Sequence, residues 1–186
     1  MEPHGTVRRR VRAGVWAVAA VVVLLGAWTT RFGTRWPSVY YMTGPSMEPT
    51  IGAQEYFFAW SPTGELARGD LVIFRYADED GEFHVLRRLA GLPGDTVWMA
   101  GGVVFVNGAR QDWPHQILSP GVRRSELALT GDLFTWGPWV VPRDSVVLLA
   151  DTRDMVGWPD SRFLGYVPLS DVIARATRTV RGRRLR

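Results

Sequence analysis

Lysine and cysteine are both absent from the 186 residues of this chain. Without cysteine, disulfides and thiolate metal sites are excluded. The three histidines (His4, His84 and His115) are scattered and show no metal-ligand spacing. No glycine-rich phosphate loop of the P-loop kind is present. The sequence thus implies neither a metal nor another cofactor. With lysine missing, all 22 basic residues are arginine; against 18 acidic residues they leave a net charge of +4. That absence matters most wherever chemistry distinguishes an amine, which can lose its proton, from a guanidinium, which holds it.

One long uncharged stretch is present. Residues 13–30 are rich in Val, Ala, Leu and Trp. As a helix they would span roughly 27 Å, close to a hydrocarbon core of about 30 Å. Arg8, Arg9, Arg10 and Arg12 precede the stretch, and Trp16 and Trp28 lie near its ends. The positive-inside tendency then predicts a cytoplasmic basic segment over 1–12, a single membrane-spanning anchor over 13–30 and an extracytoplasmic remainder. The competing readings are a cleaved secretory signal and a buried core helix. Gly26-Ala27-Trp28-Thr29-Thr30-Arg31 makes a poor small-x-small cleavage site, which favours the anchor.

Beyond Pro37 the helical period fades, and the pattern predicts a mostly β fold after the one N-terminal helix. Short β-rich runs occupy 39–42, 56–59, 71–76, 83–89, 97–99, 103–106 and 145–149. Ser61-Pro62-Thr63-Gly64, Arg68-Gly69-Asp70 and Leu92-Pro93-Gly94-Asp95 are breakers between them. Gly101-Gly102 predicts a hairpin, and Asn107-Gly108 suits a type I′ turn. Residues 111–137 show no clear period and read as a long excursion. The β domain is placed at 31–176, followed by a basic tail over 177–186. Six arginines fall within 175–186. They read either as a solvated, frayed terminus or as a patch attracted to anionic lipid headgroups. A nucleic-acid role does not fit a tail placed outside the cell.

The chemistry centres on Gly44-Pro45-Ser46-Met47-Glu48-Pro49-Thr50. Four further blocks follow in order. They are Arg68-Gly69-Asp70-Leu71-Val72-Ile73-Phe74; Arg87-Arg88-Leu89-Ala90-Gly91-Leu92-Pro93-Gly94-Asp95; the stretch 104–108 ending in Asn-Gly; and Ala150-Asp151-Thr152-Arg153-Asp154, which leads to Asp160-Ser161-Arg162-Phe163-Leu164-Gly165-Tyr166-Val167-Pro168. Taken together after an anchor, they resemble the type I signal peptidase family from about Tyr40 to Ala176. The resemblance implies a mostly β scaffold at the surface of the inner (plasma) membrane, working beside the secretion machinery on signal peptides of exported pre-proteins. It also implies a serine–lysine dyad: the serine attacks the scissile carbonyl, and a buried, neutral lysine takes its proton. Ser46 matches the nucleophile, and its backbone N–H matches an oxyanion donor. Gly44 stands where some members place a second donor hydroxyl.

Arg87 stands at the position of the lysine base. A guanidinium ordinarily holds its proton far above neutrality, so neutralising it near pH 7 would cost many kcal/mol. Arg87 therefore cannot copy the lysine. The family often also carries a serine just before the aspartate matching Asp160, where this chain has Pro159. His84 and His115 are the other candidate proton acceptors. Three residues separate His84 from Arg87, and on one regular strand that odd offset sends the two side chains to opposite faces.

By resemblance, Arg88 pairs with Asp151 and Arg162 interacts near Asp160. Together with Arg153 and Asp154 these residues brace the floor of the site. Tyr40, Met42, Met47, Ile51, Val85 and Leu86 match residues lining shallow apolar pockets, which favour Ala-x-Ala near the cleavage point. The substrate is expected to pair as a strand between the segment before Ser46 and the strand carrying Arg87. Two alternatives to an active signal peptidase are a non-catalytic relative that binds signal peptides or a partner peptidase, and a specialised peptidase for a pilin or conjugation precursor.

Overall fold

The computed structural model describes residues 16, 19–24, 26–27, 37–62, 64–118, 133–154 and 159–185. The chain divides into two units, residues 1–36 and 37–186. In the first, every described residue is helical and exposed, including Trp16 and Val21 to Leu24. Residues 1–12 and much of the 13–30 stretch lie outside the described residues. Among the described residues, no helix is long and apolar enough to cross a membrane.

The second unit is mostly β, as its pattern predicts. Its strands are β1 (Ser38–Tyr41), β2 (Tyr56–Trp60), β3 (Leu71–Asp78), β4 (Gly81–Gly91), β5 (Thr96–Ala100), β6 (Val103–Val106), β7 (Ala109–Arg110), β8 (Trp136–Val140), β9 (Ser145–Leu149), β10 (Val167–Pro168) and β11 (Val172–Thr179). A one-turn helix, α1 (Ser161–Leu164), separates β9 from β10. Seven strands form one antiparallel sheet in the order β1-β2-β11-β3-β4-β9-β10, and four form a second in the order β7-β6-β5-β8.

The long hairpin of β3 and β4 runs in unbroken register from Leu71 opposite Arg88 to Asp78 opposite Gly81. The run Leu71-Val72-Ile73-Phe74 is buried on both faces, which is why it reads as continuous rather than alternating hydrophobicity. Leu71, Ile73 and Leu86 face one core cluster with Met42, Met47, Ile51, Phe57 and Ala176. Val72, Phe74 and Leu89 face a second with Val146, Leu148 and Val167. A third cluster joins Ala90, Val147 and Leu149 of the large sheet to Val97, Met99, Val104 and Val106 of the small one. The two predicted turns form as expected. Gly101 and Gly102 both take positive φ between β5 and β6, and Asn107 (φ 51°) and Gly108 (φ 86°) do so between β6 and β7.

The reading of the C-terminal tail is corrected. Residues 172–179 form β11, an interior strand between β2 and β3, so a domain boundary at 176/177 would cut that strand. The arginines there alternate with the buried Ala174 and Ala176. Arg175 pairs with Asp70 at 3.3 Å, and Arg183 pairs with Glu55 at 2.8 Å. Leu185 N–H bonds the Thr177 carbonyl, and the Leu185 side chain is buried. This stretch is ordered through residue 185 rather than frayed. Small alanines carry too little hydrophobic signal to announce a strand.

The end of the 111–137 excursion is corrected too, because β8 begins at Trp136. Gly137 and Pro138 hid it, and proline is tolerated there because β8 is an edge strand. Gly137 sits at φ +87°, where a Cβ would lie 2.7 Å from the Val97 carbonyl oxygen.

Candidate active site

Ser46 lies in the loop after β1, and that loop is fastened at both ends of its turn. Met47 and Ile51, four residues apart, are fully buried in the first core cluster. The Ile51 N–H bonds the Met47 carbonyl at 2.9 Å. On the other side Thr152 grips three carbonyls. Its N–H bonds Ser46 O at 3.0 Å, and its hydroxyl lies 2.7 Å from Pro45 O and 3.1 Å from Glu48 O. Beneath the loop Thr50 donates to Asp151, and Arg88 holds the same carboxylate in a two-pronged grip of 2.7 and 2.6 Å. Arg88 also reaches Thr50 Oγ1 at 2.9 Å and Gly69 O at 2.8 Å. The expected Arg88–Asp151 pair is therefore present and buried. A sequence separation of about 100 residues gave no sign that Thr50 would join it.

The second expected pair is present as well. Asp160 caps α1 by accepting from Arg162 N at 2.9 Å. It also accepts from Ala150 N at 3.0 Å and from Arg162 Nη2 at 2.8 Å. Ser161 Oγ accepts from Leu148 N at 2.8 Å, which binds α1 to β9. Arg153 is buried and donates to Gly102 O at 3.1 Å and to Ala150 O; burial pushes its guanidinium down to about 10. Asp154 is buried next to it in the chain.

Arg87 does meet Ser46. Register places it opposite Val72, on the face away from Leu86 and Arg88, yet its guanidinium reaches round to the serine. Nη1 donates to Ser46 Oγ at 3.1 Å and to Leu86 O at 2.5 Å. Nε donates to Pro159 O at 2.9 Å. A backbone carbonyl thus meets the arginine where the family resemblance implies a serine hydroxyl. Nη2 is buried and has no partner among the described residues. Burial is the chief cause that pushes this guanidinium down to about 10, with Arg162 adding to it; Asp160 and Asp151 oppose it from a distance. Arg87 therefore stays charged at neutral pH and donates to the nucleophile, so it cannot take the proton from Ser46.

Ser46 and Arg87 border a cavity of about 260 Å³, which Tyr40, Met42, Val85 and Leu86 also line. Four of the six expected substrate-contacting residues are therefore at the cavity. The other two, Met47 and Ile51, are not among its lining residues and pack in the first core cluster. Phe57, Ile73 and His84 line the cavity and were not anticipated as its walls. The β3–β4 register supplies the missing signal, because Ile73 lies opposite Leu86 on the same face. His84 lies on the face of Leu86, as its odd offset from Arg87 predicts, and still borders the cavity. Its ring is 6.0 Å from that of Tyr40. His115 is not among the cavity residues; its Nδ1 lies 2.9 Å from Trp113 O. His4 lies outside the described residues.

Two backbone edges flank this cavity. Among the described residues β1 pairs only with β2. Among them too, β9 meets β4 only from Arg88 onward, so residues 81–87 of β4 have no strand partner on one side.

The chain is similar to known proteins of one family. The family described as signal peptidase, peptidase S26, matches residues 10–180. Signal peptidase I P of Bacillus subtilis subsp. natto is 34% identical over 142 residues, covering 74% of this chain and 73% of that protein. Signal peptidase I T of Bacillus subtilis strain 168 is 34% identical over 144 residues, covering 74% and 70%. A signal peptidase I of known structure from Enterococcus faecalis is 24% identical, with a TM-score of 0.39 over 60% of this chain and 96% of that one.

Proposed function

The chain belongs to the signal peptidase family, peptidase S26, and from that premise we propose that it is a serine endopeptidase that cleaves N-terminal signal peptides from exported pre-proteins. The observation that carries the reading is Ser46 Oγ at the cavity wall, in a loop clamped by Met47, Ile51 and Thr152. An extended precursor adds as a strand between the open edges of β1 and β4. Alternate side chains of that strand point into the cavity, whose size and apolar walls suit small residues such as alanine. Ser46 attacks the scissile carbonyl, and its backbone N–H faces the developing oxyanion. Arg87 supplies a fixed positive charge beside that oxygen. The serine proton passes to water in the groove or to His84 on its wall, because no amine is available.

The anchor over 13–30 places this domain at the outer face of the plasma membrane, with residues 1–12 in the cytoplasm. Support comes from the apolar, helical residues 19–24 and the arginines before them. The exposed Val39, Tyr41, Tyr56 and Trp60 on β1 and β2 fit a surface that touches lipid.

A second reading, a non-catalytic binder of signal peptides, is favoured by one fact: Arg87 donates to Ser46 where a base must accept. The deciding experiment uses the full chain in detergent with an Ala-x-Ala precursor. Cleavage that disappears in Ser46→Ala supports the peptidase. A silent parent that gains activity in Arg87→Lys supports the binder.

A further inference from the structure

Arg87 is a buried cation with no carboxylate bonded to it among the described residues. Both acids that influence it are already engaged: Asp151 by Arg88 and Thr50, and Asp160 by Arg162 and two backbone N–H groups. Its own contacts are two carbonyls and a hydroxyl, all uncharged. Its Nη2 has no acceptor among the described residues. Buried polar groups are ordinarily satisfied, so an orphaned guanidinium nitrogen on a residue that borders the cavity points to a missing ligand. The planar guanidinium fork matches a carboxylate.

Geometry and chemistry specify which carboxylate. Nη1 is 3.1 Å from Ser46 Oγ, so an anion resting against the serine also rests against Arg87. In an uncut precursor the group at that place is a neutral amide carbonyl. After hydrolysis the released peptide ends there in a carboxylate. We propose that Arg87 makes this groove a receptor for peptides that end in a small residue with a free C-terminal carboxylate. The groove then holds a released signal peptide more tightly than the precursor it came from. The proposal rests on the reading of the groove as a signal-peptide site. Its consequence is product retention: cleaved signal peptides compete with fresh precursor.

The test uses the full chain in detergent micelles and three synthetic peptides that differ only at the C-terminal end, followed by titration calorimetry. One ends in Ala-x-Ala with a free acid, one is its amide, and one is an amide with aspartate as the last residue. The acid is expected to bind at least tenfold tighter than either amide. Arg87→Met should erase the gap, and Arg87→Lys should keep part of it. If Arg87→Met does not fold, the wild-type comparison still decides. Its gap should hold from pH 5 to 9, because Arg87 titrates at about 10, and should close as the terminal carboxyl is protonated near ~3.5. Equal binding of acid and plain amide overturns the proposal and leaves the groove reading intact. Tight binding of the aspartyl amide overturns the assignment to a chain terminus. Failure of every peptide to bind overturns both the proposal and the groove reading.

Discussion

Arg87 and Arg88 are neighbours on β4 and equally buried, yet their surroundings are opposites. Arg88 meets a carboxylate with two nitrogens and spends its remaining donors on Thr50 and Gly69. Arg87 meets only uncharged acceptors and leaves one nitrogen unpaired among the described residues. The strand's alternation places them on different faces, so one sequence step separates a compensated charge from an uncompensated one. Arg153 sharpens the lesson. It too is buried, and its guanidinium is pushed down to about 10, but it is not among the residues bordering the cavity. Burial alone does not mark a functional cation. An uncompensated charge on a cavity wall beside a nucleophile does.

The sharpest way to exploit this contrast is Arg87→Lys. The same burial that lowers the guanidinium would lower an amine whose ordinary value is ~10.4, bringing it toward neutral pH. A neutral amine at this place can accept the serine proton, and general-base catalysis typically contributes ~10²–10⁴-fold. Precursor cleavage by Arg87→Lys should exceed that of the parent by about that factor. Its rate should climb with pH as the amine loses its proton. A variant no faster than the parent at any pH from 6 to 10 would remove Arg87 from the base position.

Asp151→Asn attacks the compensated side. It strands the Arg88 charge in a buried site, a change that typically costs ~3–5 kcal/mol. For a domain of this size the melting temperature should fall by roughly 10 °C. The Ser46 loop should loosen with it, because Thr50 loses a charged acceptor. Unchanged melting would show that Arg88 finds another partner and that the two arginines differ less than their contacts indicate.

How much of this contrast was legible beforehand follows from the range of each interaction. The apolar runs of β3 and β4 and the two glycine-containing turns were readable, because their signals are local. The Arg88–Asp151 and Arg162–Asp160 pairs were reached only through the family resemblance. Thr152 stood within a quoted block, but nothing local showed that it would grip the Ser46 loop from across the fold. β11 was hidden because its buried positions are alanines among arginines, and β8 because a glycine and a proline mimic a turn. Met47 and Ile51 were assigned to the cavity, since apolar residues beside a nucleophile suit both a wall and a core. Only packing separates the two.

A third ion pair extends the comparison to a site that solvent partly screens. Asp95 accepts from Arg68 at 2.6 Å through both oxygens, from Asn107 at 2.8 Å and from Leu92 N at 2.9 Å. Burial alone would raise its carboxyl; the Arg68 contact and the two other hydrogen bonds outweigh it and hold the group below its ordinary value. With the folded value depressed, its stabilising contribution is complete above the unfolded value near ~3.9 and is lost as pH falls through the folded one. Asp95→Asn should cost about 1–2 kcal/mol at pH 7 and should flatten the acid limb of stability below pH 4. Parallel acid limbs in the two proteins would show that the carboxylate is not held low.

The smallest expected effect is the most diagnostic. Arg87→Met removes a charge whose desolvation no nearby carboxylate offsets, which favours the variant. It also removes hydrogen bonds to Pro159, Leu86 and Ser46, each worth about 1 kcal/mol. The two effects oppose each other, so stability should stay within about 1 kcal/mol of the parent. Arg88→Met, one residue along, should lose several times that, because it leaves Asp151 buried and charged without its partner. Chemical denaturation of the two variants side by side isolates the difference, since chain length, strand and burial are shared. If both lose the same amount, Arg87 has a structural counter-charge and its place beside Ser46 is scaffolding. If only Arg88→Met suffers, the charge at Arg87 is kept for something other than stability.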